Sequence, residues 1–392
     1  MRLNFPSDFI WGTSTAAAQI ETASAHNWRD LHSKDGYIFN RTTDHEKRRK
    51  EDIIYIKSFG SMYRCGVDWA RLQDAPYQDF DLKVVQEYRD FFWQLKAEQV
   101  EILFVIHHFT NPLWFEKLGG WLNKECVPAF MNYAQQCMAN FGDLVANWNT
   151  FNEPNVYALN AYITGDFPPH KKNYFKANKA IGNMAICHNK TYALLKEAYP
   201  KKPVGISLNT AFFEGLDLVG SLTAKFTDWW FIKRAADLFN KVDYLGISYY
   251  AHVLFKPTAI TAIDNADKLE NLGYPHDDMW AYNPKALAPI IKRLYSKYKL
   301  PILITENGIC TSDPQRRIES IKDYLKVIHD LIVDGVPFLG YIHWSTFDNF
   351  EWNLGPTYQF GLVSVDLQTK DRTMTEAGIF YSNVCHENAI DI

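Results

Sequence analysis

Two glutamates stand where acid–base or nucleophilic chemistry is at home. Glu153 follows an apolar run in TFNEPN, and Glu306 closes another in LITENG. A carboxylate at the end of a buried strand is costly unless it is solvated, paired or used. Two of them facing one pocket meet the demands of glycoside hydrolysis. One protonates the leaving oxygen, and the other stabilises or captures the oxocarbenium-like carbon. The same residues also fit a plainer role in ion pairs or helix caps, because Asn-Gly and Glu-Pro are ordinary turn chemistry. His107 and His108 invite comparison with a metal pair. Neighbours on a strand point to opposite faces, so the two do not readily share one ion, and one of them is expected to be structural.

The elements that must position these residues show a coarse alternation. Short β-prone runs occur at 8–12, 62–68, 101–107, 146–152, 203–208, 243–249, 301–306 and 338–344. Helical periodicity occupies 84–98, 127–141, 174–197, 285–298 and 316–333. Alternating strand and helix implies a parallel sheet with helices outside it. Eight such units over 392 residues predict an α/β fold, a single (β/α)8 TIM barrel over residues 1–392. In a barrel all C-terminal strand ends face one bowl. The polar and aromatic residues that close the runs should therefore converge there: Thr13 to Gln19, Trp69 to Arg71, His107-His108, Asn152-Glu153, Tyr249-Tyr250, Glu306-Asn307 and Trp344.

Composition narrows the partners. The formal net charge is −4, which gives no reason to expect nucleic acid or an anionic membrane. Lys47, Arg48, Arg49 and Lys50 cluster, but Glu46, Glu51 and Asp52 flank them, so a solvated helix face is expected. The chain holds 12 Trp, 22 Tyr and 26 Phe. Most must serve a large core, and some suit a cleft for a sugar, since an indole covers the apolar C–H face of the ring and still donates an N–H. The six cysteines form no CxxC pair and no metal-ligand spacing, so free, mostly buried thiols in a reducing compartment are expected. The N-terminal stretch MRLNFPSDFIWGTSTAAAQ lacks the pattern of a secretory signal. No stretch approaches the roughly 18 apolar residues of a membrane span. The expected location is cytoplasmic.

At these motifs the chain resembles glycoside hydrolase family 1, the β-glucosidase and β-galactosidase family, along nearly its whole length. FIWGTSTAAAQIE is similar to the family's opening signature, TFNEPN to its acid/base motif and ITENG to its nucleophile motif. HWSTFDNFEWNLG and FGLVSVD resemble its last two motifs. The resemblance implies a (β/α)8 barrel and a retaining exo-β-glycosidase without metal or organic cofactor. It makes Glu306 the nucleophile, Glu153 the acid/base, Asn152 the contact to the sugar 2-hydroxyl, Tyr250 a hydrogen-bond donor to the nucleophile and Arg64 its charge partner. It assigns Gln19, His108, Glu351 and Trp352 to the outer hydroxyls, Trp344 to the platform under the ring, and Asn209 and Trp280 to the aglycone side. Read on their own, Trp344 and Trp352 fit core aromatics and Arg64 a plain buried ion pair.

An acid at Glu351 suits neutral hydroxyls and repels phosphate, so the expected substrates are unphosphorylated β-glucosides, β-galactosides or β-fucosides. The segments from Trp28 to Asp44 and from Tyr341 to the end are short for the family. Phe109 stands where Trp is usual and Ser248 where Asn is usual. Tyr-x-x-Arg-Phe-Gly is reduced to Tyr358-Gln359-Phe360-Gly361. The short segments would leave the aglycone side open, while the other changes touch the edges of the site, and none removes a carboxylate. A transglycosidase and a catalytically silent sugar-binding barrel are the alternatives. The partner is a small β-linked glycoside, and the protein is a monomer or homo-oligomer.

Overall fold

The computed structural model describes residues 1–256, 259–263 and 266–392. Eight parallel strands close into a ring: β1 (Ile10–Ser14), β2 (Met62–Gly66), β3 (Glu101–His107), β4 (Val145–Asn152), β5 (Val204–Gly215), β6 (Tyr244–Lys256), β7 (Ile302–Asn307) and β8 (Phe338–Trp344). Each strand pairs with its neighbours in chain order, and β8 returns to β1 through Gly340 opposite Ile10. The expected TIM barrel is the fold.

The interior of the ring is filled rather than hollow. Met62, Leu103, Val105, Tyr244, Leu303 and Ile342 meet there as one apolar plug. Tyr244 fits because Gly205 stands opposite: a Cβ at that position would lie 2.3 Å from the phenol ring. The ring's hydroxyl donates to the Trp148 carbonyl at 3.0 Å, which satisfies the one polar group it buries. The helices lie outside, and their apolar faces form the larger core. Pro314–Val333 is typical. Asp313 caps it by accepting from the Gln315 N–H at 2.9 Å, Pro314 occupies the first turn, and Ile321, Leu325 and Ile328 recur on the buried face.

The strand runs foreseen from sequence fall close to the observed strands, with two differences. β1 starts and ends two residues later than its apolar run, because Gly12, Thr13 and Ser14 pair with Met62, Tyr63 and Arg64. β5 and β6 continue well past the barrel rim as a pair, with Phe212 opposite His252 and Gly215 opposite Phe255. Mutual pairing sustains that extension, which no apolar pattern announces. All six cysteines are buried and free, as expected.

The basic cluster departs from the expected solvated face. Lys47 and Lys50 are exposed, but Arg49 is drawn inward. Its guanidinium lies 4.8 Å above the Tyr88 ring and 3.4 Å from Glu21. Glu21 is buried just beyond β1 and also receives Arg71 and the Tyr88 hydroxyl. A buried carboxylate needs such partners, so one arginine of the cluster is structural.

The same helix, His45–Ile56, is tied to the C-terminal region by a second buried pair. Arg372 donates to both carboxylate oxygens of Asp52, at 2.7 and 3.0 Å, and His45 Nδ1 lies 2.7 Å from one of them. Burial alone would raise the Asp52 carboxyl, but the bond to His45 and the pairing with Arg372 hold it below its ordinary value. Asp52→Ala leaves the guanidinium buried without its counter-ion. It is expected to cost about 3–5 kcal/mol, read as a lower urea midpoint at unchanged slope. A loss under about 1 kcal/mol would contradict this reading of the pair.

Candidate active site

The C-terminal ends of the strands converge on one bowl, and a chain of hydrogen bonds runs across it. Glu306 ends β7 with both oxygens held: Arg64 Nη1 donates to Oε1 at 2.5 Å and the Tyr250 hydroxyl to Oε2 at 3.0 Å. Arg64, fully buried on β2, is itself spread over three further strands. Nη1 reaches Ser14 Oγ at 3.0 Å, while Nη2 reaches Asn152 Oδ1 at 2.6 Å and Ser207 Oγ at 3.0 Å. Burial pushes the Glu306 carboxyl above its ordinary value. The charge of Arg64 and the Tyr250 bond pull it back towards the ionised form. Gly308 makes this end of β7 possible, since a Cβ there would sit 2.0 Å from the Trp344 carbonyl oxygen.

Glu153 follows β4 and takes the N-cap position of the helix Pro154–Leu159 with φ of 41°. A left-handed backbone is unusual for a side-chain-bearing residue and doubly so before proline, which disfavours helical backbone on its neighbour. The conformation is held by the Glu153 N–H, which donates to the Ser207 carbonyl at 2.9 Å. Such strain gathers at functional positions. Asn209 Nδ2 donates to Glu153 Oε1 at 2.9 Å. Burial and then the charge of Glu306 push the Glu153 carboxyl up to about 8, against the opposing effects of Asn209, Ser248 and Arg64. The bowl thus holds two carboxyl groups that feel each other. One is gripped by a cation and the other is left to keep its proton.

Of the other strand-end residues expected to converge, Tyr249 turns away to donate to the Asn283 carbonyl at 2.8 Å and Arg71 pairs with Glu21 and Glu87. Asn152 turns its oxygen to Arg64, so its Nδ2 donates to His108 Nε2 at 2.9 Å. Burial, then the Arg64 charge, hold the His108 ring far below its ordinary pKa. It is therefore neutral, with the proton on Nδ1, which has no protein partner among the described residues. His107 points the other way, bonding Asn111 at 2.9 Å and packing edge-on to Trp121. The expected division between a site histidine and a structural one therefore holds. Gln19 donates from Nε2 to Asn349 Oδ1, the Phe350 carbonyl and Glu351 Oε2, at 2.9, 3.0 and 3.3 Å. Its Oε1 has no protein partner among the described residues. Burial, then the charge of Glu306, push the Glu351 carboxyl up to about 8. Trp344, at the end of β8, and Trp352 each lie 5.9 Å from the His108 ring. Both indoles are largely walled in; Trp352, at φ of 42°, packs on Trp28 and Phe109. Trp280 packs against Tyr250 and Phe360 at 5.7 and 6.4 Å.

Two supports have no counterpart among the sequence expectations. Ser207 joins Ser14 in holding Arg64, and Asn349 orients Gln19. Ser207 lies on β5, where alternation alone could have marked it as facing the bowl. Asn349 lies on the segment after β8, and only its spatial return to Gln19 gives it a role. Among the described residues no group of three or more His, Cys, Asp or Glu side chains is placed to hold a metal ion.

The sequence matches the description Glycosyl hydrolase family 1 over residues 1–218 and 229–390. It is 28% identical to β-glucosidase A of Thermotoga maritima, an alignment covering 99% of each chain. That alignment spans 444 residues against the 392 of this chain, so the relative carries segments that this chain lacks. A 6-phospho-β-galactosidase of Clostridium acetobutylicum is 27% identical over 99% of this chain and 98% of its own. In three dimensions the fold superposes on the β-glucosidase of Thermotoga maritima in complex with deoxynojirimycin. The TM-score is 0.90 at 26% identity, covering 99% of this chain and 100% of that one.

Proposed function

The chain belongs to glycosyl hydrolase family 1 and is a β-glycosidase, and from that premise we propose that it is a retaining exo-hydrolase of unphosphorylated β-glucosides, β-galactosides or β-fucosides. It works through one catalytic barrel spanning residues 1–392. The observation that carries this reading is the opposed setting of two carboxyl groups, Glu306 held by Arg64 and Tyr250 and Glu153 pushed up to about 8.

In the first step Glu306 attacks the anomeric carbon, and the C–O bond to the aglycone breaks. The leaving oxygen takes the proton of Glu153. As Glu306 loses its negative charge to the ester, Glu153 becomes the more acidic of the pair and can serve as base. It then takes a proton from water, which attacks the same carbon and releases Glu306. Asn152, fixed by Arg64, meets the 2-hydroxyl. Gln19 Oε1 offers an acceptor and His108 Nδ1 a donor to the outer hydroxyls, Glu351 and Trp352 add further polar contacts, and Trp344 forms the platform under the ring. Asn209 and Trp280 face the aglycone. Around Glu351 stand Gln19 and the negative charge of Glu306, neither of which suits a phosphate. The six buried free thiols support a reducing compartment, the cytoplasm. Among the described residues no helix is long and apolar enough to cross a membrane.

The substrate reading is tested with nitrophenyl β-glucoside, β-galactoside, β-fucoside and β-glucoside 6-phosphate, wild type beside Glu306→Gln. Hydrolysis of a plain sugar by the wild type alone is expected. Turnover confined to the 6-phosphate would overturn the assignment of Glu351. Transglycosylation remains the second reading, since the segments missing relative to the Thermotoga maritima enzyme favour an aglycone side open to acceptors.

The pH profile carries a further expectation. The acid is active while protonated, so kcat/KM should fall as pH rises through about 8, where Glu153 ionises. Asn209 stabilises the ionised form by donating to it. Asn209→Ala should therefore move this alkaline limb upward, and an unmoved or lowered limb would show that Asn209 does not govern the acid.

A further inference from the structure

The helix Leu218–Asp228 carries an apolar face that stays exposed among the described residues. Leu218, Leu222, Phe226 and Trp229 recur at helical spacing, joined by Val219, and all five are exposed, Leu218 at 78%. The face does not end with the helix. Phe226 lies 5.8 Å from the Trp229 ring and 6.3 Å from that of Tyr174, and Tyr174 is 6.0 Å from Phe175, itself 81% exposed. Two segments far apart in sequence thus form one continuous aromatic and aliphatic surface, of a kind that marks an interaction site.

The charges around it are one-sided. Over residues 171–179 and 218–233 there are six exposed lysines: Lys171, Lys172, Lys176, Lys179, Lys225 and Lys233. The acids beside them are engaged: Asp228 by Arg293 at 2.7 Å and Lys233 at 3.3 Å, and Asp217, the N-cap of the helix, by the Gly220 N–H at 2.7 Å. The whole chain is net −4, so the positive charge is local. The match to the family skips residues 219–228, so Val219, Leu222, Phe226 and Lys225 lie outside what the family shares. Both segments rise from the rim that carries the acid/base: one follows β4, the other the outward extension of β5. Asn155, two residues beyond Glu153, bonds the Asn209 and Phe231 carbonyls at 2.8 and 3.0 Å and ties the platform to the site.

We propose that this lysine-rimmed apolar face docks the enzyme on an anionic lipid surface, with Leu218, Leu222, Phe226, Trp229 and Phe175 entering the interface and the lysines meeting headgroups. The face is a helix with bulky apolar side chains exposed along one side, as interfacial insertion requires, and aromatic residues and lysines stand on the same two segments. A symmetric pairing of two copies through it would set six lysines against six. Docking brings the acid/base side of the barrel mouth next to the lipid surface.

The purified full chain is sedimented with phosphatidylcholine vesicles, with and without phosphatidylglycerol. Partition at least tenfold stronger onto the phosphatidylglycerol vesicles is expected, weakening as salt rises. Leu222→Ser with Phe226→Ser should lower it at least tenfold while leaving solution hydrolysis of aryl glucosides and the melting temperature unchanged. Charge reversal by Lys171→Glu, Lys172→Glu and Lys176→Glu should do the same with the apolar face intact. No partition of the wild type, or equal partition of both variants, overturns the proposal. A wild-type dimer that the serine variant returns to monomer would assign the face to a second copy instead, and retention on an acidic protein without vesicle binding would assign it to a protein partner.

Discussion

Glu306→Gly is expected to lower turnover of aryl β-glucosides by about ten-thousandfold or more, the scale seen when a covalent nucleophile is removed. Added azide should restore part of that loss. The substitution opens space where the carboxylate stood, and Arg64 remains to attract an anion there. Azide then attacks from the face that Glu306 served, so the recovered product is the α-glycosyl azide, inverted relative to the substrate. Glu306→Gln should lose comparable activity yet gain little from azide, because the amide fills the same volume. This contrast separates a nucleophile from a merely structural carboxylate. If Glu306 only neutralised Arg64, glutamine would be milder than glycine and azide would yield no glycosyl azide.

Glu153→Ala is expected to divide substrates by leaving group. A dinitrophenyl glycoside departs with little protonation, so its first step should be nearly spared. An alkyl or unactivated aryl glycoside should lose about 10²–10⁴-fold, the usual worth of a general acid. The alkaline limb of the pH profile near 8 should vanish with the residue that causes it. Azide should speed turnover of the good substrates by attacking the intermediate through the space Glu153 left. Its product should be the β-azide, the stereochemical opposite of that from Glu306→Gly. Equal losses on both substrate types would remove Glu153 from the acid role.

These roles rest on residues whose neighbourhoods were unequally legible in the sequence. Glu153 and Glu306 were visible because each closes a strand, and the strand ends of a barrel share one mouth by topology. The alternation of apolar runs and helical stretches sufficed for that, since barrel strands are buried on both faces and read as short apolar runs. What held the side chains was less visible. Ser207 and Asn349 are small polar residues of a common kind, and their importance lies in being within 3.0 Å of Arg64 or Gln19 across gaps in sequence of 143 and 330 residues. Arg49 was misjudged because the acids beside it in sequence seemed sufficient partners, whereas its true partner is the buried Glu21. The extension of β5 and β6 beyond the rim had no apolar signature either. It is sustained by pairing, and with it stands the helix whose exposed face net charge alone would hide.

The central claim is that Glu306 forms a covalent bond to the sugar while Glu153 moves the proton. It is met most directly by trapping that bond with 2,4-dinitrophenyl 2-deoxy-2-fluoro-β-glucoside, which keeps a good leaving group but destabilises the oxocarbenium-like transition states and so slows release of the intermediate. Mass spectrometry of the digested protein should find one fluorosugar per chain on the peptide containing Glu306, and Glu306→Gln should carry none. A label on another residue, or complete turnover of the plain glucoside with no label ever accumulating on Glu306, would contradict the account.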